Sequence, residues 1–172
     1  MAAIQHATGR SEQYNKHNRD AIAMIADGKC DKAIEAFEEQ IRHHERKLTR
    51  YHGVYPADCE ALFGLAIAHA HNGDADKAIR YVRQALDNGL PFQRFLAGPR
   101  ELLKPLTDTA AFQKIRRQHH VQLLHGPMLS NVTDTKAEFW VRTVDEVPIT
   151  VSVSTSPDMT PIVASATNAT NS

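Results

Sequence analysis

The chain has 172 residues, with 20 Lys and Arg against 20 Asp and Glu, a formal net charge of zero and 42% apolar residues. That length holds one domain or two small ones of ordinary globular composition. The zero balance supplies no field to recruit nucleic acid or an anionic membrane, and no run approaches the roughly 18 apolar residues of a membrane span.

The opening "MAAIQHATGRSEQYNKHNRD" lacks the apolar core of a signal peptide, so no export signal is visible and localisation stays open. Residues 1–11 read as a flexible N-terminus and 12–118 as paired helices. The clearest internal signal is a repeat. "DGKCDKAIEAFEEQI" (27–41) and "NGDADKAIRYVRQAL" (72–86) share a glycine, Asp-Lys-Ala-Ile and the apolar spacing, offset by 45 residues. Gly28 and Gly73 are expected to end one helix in the left-handed conformation. Asp31 and Asp76 then fall in the first turn of the next, where the helix dipole favours a carboxylate. Ala33/Phe37/Ile41 and Ala78/Val82/Ala85 make apolar stripes, faced by Ala21/Met24/Ile25 and by Leu62/Leu65/Ala66/His69. The unit is a helix hairpin, used twice. Cys30 and Cys59 would open successive antiparallel helices, about 25–30 Å apart at 1.5 Å per residue, too far for a disulfide.

"ALFGLAIAHAHNGDADKAIRYVRQAL" (61–86) resembles the tetratricopeptide repeat, through Leu65-Ala66, Gly73-Asp74, Ala78 and Ala85. The first copy departs at Asp20, where the family usually has a large apolar residue. The 45-residue spacing departs too, against a usual length of about 34. The surplus reads as an extended second helix through "EEQIRHHERKLTRYH", followed by the loop "GVYPAD". "FQRFLAGPRELLKPLTDTAAFQKIRRQHH" (92–120) reads as a terminal cap on the stack. Pro99 suits the first turn of a short helix, Pro105 ends it, and Thr107 or Asp108 caps another whose Ala111, Phe112 and Ile115 cover the open end.

From about His119 the period changes from helix to strand. "SNVTDT" is rich in turn formers. In "KAEFWVRT", Ala137, Phe139 and Val141 alternate with Lys136, Glu138, Trp140 and Arg142. "VPITVSVSTS" places Val147, Ile149, Val151 and Val153 on one face, and a third run, "PIVASA", precedes the polar end "TNATNS". Two or three strands of a sandwich are expected over 119–172. A seven-stranded sandwich takes about 100 residues, so three strands would leave an apolar face wet. "LLHGPMLSNVTDTKAEFWVRT" (123–143) also resembles the opening of the N-terminal immunoglobulin- or fibronectin-like domain of PhoD-like alkaline phosphatases and related metallophosphoesterases. The residues that carry this are His125-Gly126-Pro127, Val132 to Thr135 and Trp140 to Thr143. The expected fold class is therefore mainly α, with tetratricopeptide-like hairpins in an α-α superhelix, followed by a partial all-β sandwich.

The resemblance implies an accessory, protein-interaction segment at the N-terminal side of a metal-dependent phosphatase or phosphodiesterase. The catalytic domain would lie beyond this chain. Such enzymes usually work outside the cytoplasm, which suggests a periplasmic or extracellular protein if the N-terminus is incomplete. The alternative is a stand-alone adaptor whose strands pair with a partner. No catalytic, cofactor or metal site is expected within the chain. Adjacent pairs such as His43-His44 and His119-His120 point about 100° apart on a helix. "HHERK" lacks the second His of a zinc-protease helix. "RHHERKLTRYH" and "KIRRQHH" read as solvated helix C-termini rather than a nucleic-acid surface. What remains is binding. In the repeat family the first helix of each hairpin lines a concave groove, here through Asn15, Asn18, Ile22, Phe63, Ile67 and His71. An exposed Phe63/Ile67 pair would suit an extended or helical peptide. Alternatively, these residues pack against the chain's own first twenty residues or a later domain.

Overall fold

A computed structural model describes residues 16–43, 50–51, 55–56 and 58–170. The chain divides into two compact units, Met1–His119 and His120–Ser172. Helices make up most of the first; the second contains antiparallel strands and no helix among its described residues.

In the first unit, α1 is helical over 16–26 and buries Asn18, Ala21 and Ile25, which fall three and four apart on one stripe. Gly28 ends it at φ 74°. The Gly28 amide donates to the Ile25 carbonyl and Lys29 to Met24, the double closure that a left-handed glycine permits. The same pair of bonds recurs at Gly73 (φ 76°), to Ala70 and from Asp74 to His69. The expected helix ends are therefore present in both copies of the repeat, and Gly89 closes a third helix the same way.

α2 (Cys30–His43) carries Asp31 in its first turn and buries Cys30, Ala33 and Phe37, with Ile41 half-buried. α4 (Ala75–Asp87) starts at Asp74, whose carboxylate accepts from the Lys77 amide at 3.1 Å and holds the Lys77 ammonium at 2.8 Å. Its stripe is Ala78, Ile79, Val82 and Ala85. Both cysteines are free and buried.

Three sequence expectations need correcting in this unit. The extended second helix does not reach residue 52: α2 ends at His43, and β1 (Arg50–Tyr51) pairs antiparallel with β2 (Tyr55–Pro56). Residues 44–49 lie outside the described set. Pro105 does not end its helix, since α5 runs Arg100–Thr107 and continues two residues past it. Buried Leu103 and Leu106 anchor this short helix on both sides of the proline, which outweighs one missing amide. The cap of α6 (Ala110–Arg116) is Thr109, not Thr107 or Asp108; its hydroxyl accepts from the Phe112 amide at 3.2 Å. Phe112 and Ile115 are buried, while Ala111 is exposed.

α3 (Asp58–His71) is the centre of the unit. It packs against α2, α4 and α5, and every residue from Asp58 to Ala70 is buried. The sequence suggested one stripe, Leu62/Leu65/Ala66/His69. Yet "CEALFGLAIAHA" is apolar or small on all sides, and such a helix is stable only when surrounded. Gly64 permits the closest approach: a Cβ there would collide with the Phe37 ring. A 3-10 turn, Phe92–Phe95, and α5 close the remaining side.

The second unit is two hairpins. β3 (Leu123–Ser130) pairs with β4 (Glu138–Thr143), and β5 (Pro148–Ser154) with β6 (Ile162–Ala169), all antiparallel, as two separate two-stranded sheets. The sequence pointed to two or three strands, whereas there are four. The Leu-Leu-His-Gly-Pro entry is itself a strand, and β6 runs through the supposed polar end to Ala169 because Thr167 and Asn168 face Thr150 and Ile149 across the ladder. The hairpins are tied at the link between them. Thr143 Oγ1 donates to Thr170 Oγ1 at 2.8 Å, and Thr170 Oγ1 accepts from the Val147 amide at 3.0 Å.

The close approach at Gly64 gives a direct test. Gly64→Ala is expected to lower the stability of the helical unit by about 1–3 kcal/mol through overpacking against Phe37, read as a lower thermal midpoint. A substitution without effect would mean that α2 and α3 are not this close.

Candidate functional site

Of the six residues expected to line a groove, the five described are buried or half-buried. Asn15 lies outside the described residues. Asn18 is 8% exposed, with its amide nitrogen and oxygen unpartnered among the described residues, and Ile22 is half-buried. Phe63 and Ile67, expected to be exposed, are 2% and 0% exposed. His71 is half-buried, with Nε2 2.8 Å from the Leu102 carbonyl on α5. The physical reason is the all-round apolar character of α3. Phe63 is covered by Phe95 and Arg94 of the chain's own 3-10 turn, and His71 meets α5.

That cover is fastened by chemistry the sequence did not advertise. Arg94 forms a two-pronged pair with Glu60, Nε to Oε1 and Nη2 to Oε2, both at 2.9 Å, and its guanidinium lies 3.9 Å from the centre of the Phe63 ring. Phe95 packs on Phe63 at 5.2 Å between ring centroids, and Phe92 stacks on His119 at 4.4 Å. A planar guanidinium suits both partners, since it offers a fork to the carboxylate and a face to the ring. Nothing periodic marks Arg94 in "PFQRFL"; only its place between two buried phenylalanines hints at the role.

The titratable groups are arranged for structure. No group of three or more His, Cys, Asp or Glu able to hold a metal occurs among the described residues. Burial, with Asp58 and Glu60 adding to it, pushes the Cys59 thiol up to about 11, and its Sγ lies 3.5 Å from the Asn88 carbonyl it donates to. Burial likewise raises Cys30. Neither thiol is a thiolate near neutrality, so neither is a ready nucleophile. His69 stacks on Tyr81 at 5.4 Å, and burial, then Lys77, lowers its pKa.

The open apolar surface lies in the second unit. In β3–β4, Met128 stands opposite Trp140 and Leu129 opposite Phe139. Neighbouring residues on a strand point to opposite faces, so each face of this hairpin carries a large apolar pair. All four side chains are exposed, Phe139 by 42% and Trp140 by 48%. Trp140 shares its face with Glu138 and Arg142, as the alternation indicated, and stands there opposite Met128. His125 stands opposite Arg142, with its ring 6.5 Å from Trp140. The β5–β6 hairpin is one-sided. Val151–Ala166 and Val153–Ala164 pair on one face, Thr150–Thr167 and Ser152–Ser165 on the other, with hydroxyl oxygens 2.8 and 3.4 Å apart. No family model matches the chain, and no curated protein or solved structure does either.

Two outcomes follow for the helical unit. His69 is held neutral in the fold, so the unfolded chain binds its proton more readily. Stability should fall as pH drops through about 6.5, the ordinary histidine value, and level off below the lowered folded value. His69→Phe, which keeps the stack on Tyr81 but takes no proton, should flatten that slope in melts between pH 7.5 and 5. Arg94→Ala should cost about 1–3 kcal/mol, because buried Glu60 loses its fork while the Arg94 side chain is itself a third exposed.

Proposed function

We propose that the chain is a protein-interaction segment: a tetratricopeptide-like helical module joined to the opening strands of the immunoglobulin- or fibronectin-like domain of a PhoD-like metallophosphoesterase. On this reading the hydrolysis of phosphate mono- or diesters belongs to a domain outside these residues. The metal ions of such an enzyme find no donor set among the described residues and would be held there.

The observation that carries the reading is the missing core of the second unit. Among its described residues only Thr143 is buried, while Phe139, Trp140, Met128, Leu129 and Ile162 stay exposed. Sheets with an apolar face require a second layer, and strands in that state await further polypeptide. The repeated glycine closures and the small Ala33 and Ala78 at helix contacts support the tetratricopeptide part. The second reading, a stand-alone adaptor whose strands pair with a partner, is favoured by one feature, the exposed large apolar pair on each face of the β3–β4 hairpin.

Reading the gene on both sides of these 172 codons separates the two. The first reading predicts an open frame that continues into a domain rich in Asp, His and Asn. The full product should hydrolyse p-nitrophenyl phosphate or its bis ester in a chelator-sensitive way, and the 172-residue chain should not. A stop codon after Ser172 would remove the phosphoesterase part and leave the adaptor.

A further inference from the structure

We propose that the free edge of β4 pairs with the same edge of a second copy of this chain, antiparallel about a two-fold axis at Trp140, to build a four-stranded sheet ordered β3–β4–β4–β3. This rests on reading the second unit as strands completed by further polypeptide, and it names that polypeptide for one edge.

Among the described residues, β4 is hydrogen-bonded to a strand on its β3 side only. Natural edges are usually blunted by proline, lysine or a bulge. "EFWVRT" contains neither residue, and its two charges, Glu138 and Arg142, are of opposite sign. The shifts in the β3–β4 ladder insert their extra residues on β3, opposite Val141 to Thr143, while Glu138 to Trp140 pair regularly. The strand is self-complementary when run antiparallel about Trp140. Residues equally far on each side of the centre meet, so Glu138 faces Arg142 of the second copy, Phe139 faces Val141, and Trp140 faces Trp140. By symmetry the charge pair and the Phe–Val pair each occur twice. Opposite charges, aromatic pairs and aromatic–branched pairs directly across a ladder are the favourable contacts of a sheet.

The register is specific. Two-fold pairings centred one residue away, on Phe139 or Val141, set Glu138 or Arg142 opposite Trp140 and lose the charge match. β5 and β6 contain no charged residue and therefore nothing to fix a comparable register. Glu138 already accepts from Lys136 and Asn131, which hold its carboxyl below the usual range. Its two oxygens offer about four acceptor positions, enough to add an arginine from the second copy. A two-fold contact of this kind closes on itself, so pairing stops at the dimer.

The test is sedimentation of the whole 172-residue chain over a range of concentrations, followed also by emission from Trp140, the one tryptophan in the sequence. The parent should pass from 19.2 kDa to twice that mass as concentration rises, with a blue shift in emission. Glu138→Arg and Arg142→Glu each place like charges opposite at two positions and should weaken dimerisation by about tenfold or more. The double exchange restores both pairs and should return affinity to within about threefold of the parent, which a merely structural role for either residue would not do. If a reversal perturbs the hairpin by circular dichroism, Glu138→Gln and Arg142→Gln replace it and should each weaken pairing by about threefold. A monomer at every concentration overturns the proposal, as does a dimer indifferent to these changes, a double exchange that fails to rescue, or an open ladder of larger species. A monomer whose strands melt without cooperativity overturns the dimer alone. A monomer with a cooperative strand melt overturns the reading of the second unit as well.

Discussion

A helix that is apolar on every side has no face to give to water, and the helical unit is built around that constraint. α3 cannot be paired once and left; it must be enclosed by α2, α4 and the 3-10 turn with α5. The neighbours show how enclosure is reached. Gly64 gives up its side chain so that the Phe37 ring can lie against the α3 backbone, and Ala78 and Ala85 bring α4 close. Where α3 begins, buried Glu60 would be costly alone, and Arg94 compensates it while covering Phe63. Burial at about 25 cal/mol per Å² makes such a centre the largest favourable term in the unit.

The same constraint goes unmet in the strands. β5–β6 is an ordinary amphipathic hairpin, with valine and alanine on one face and a ladder of hydroxyls on the other. β3–β4 carries an exposed large apolar pair on each face, Leu129–Phe139 beside Val141 on one and Met128–Trp140 between the charged Glu138 and Arg142 on the other. Two hairpins tied through Thr143 and Thr170 supply hydrogen bonds but no interior. An isolated hairpin is marginal in water, and the proposed reading supplies the missing layer from further polypeptide. Among the described residues the helical unit has a buried apolar core, and the strand unit buries only Thr143.

Much of this was legible in the sequence, and the failures share one cause. Gly28, Gly73, Asp31 and Asp76 act locally, through backbone conformation and the helix dipole, so they could be read from a few neighbours. The wet apolar face could be read from strand count alone. Phe63 and Ile67 were misplaced because periodicity asks which face of a helix is apolar and has no answer when all are. The helix end at Thr107 was missed because burial of Leu103 and Leu106 overrode the local signal of the proline at 105. Arg94 was invisible for the opposite reason, since its partners lie more than thirty residues away in the chain.

Amide hydrogen exchange, with the chain diluted until it is monomeric, tests the contrast between the units most directly. Exchange reports how often each backbone hydrogen bond opens. The account predicts that the amides of α3 are among the slowest in the chain, while those of β3 to β6 exchange within about an order of magnitude of unfolded rates. Strand amides in the monomer as protected as those of α3 would contradict it, because such protection requires an interior that these two hairpins do not form.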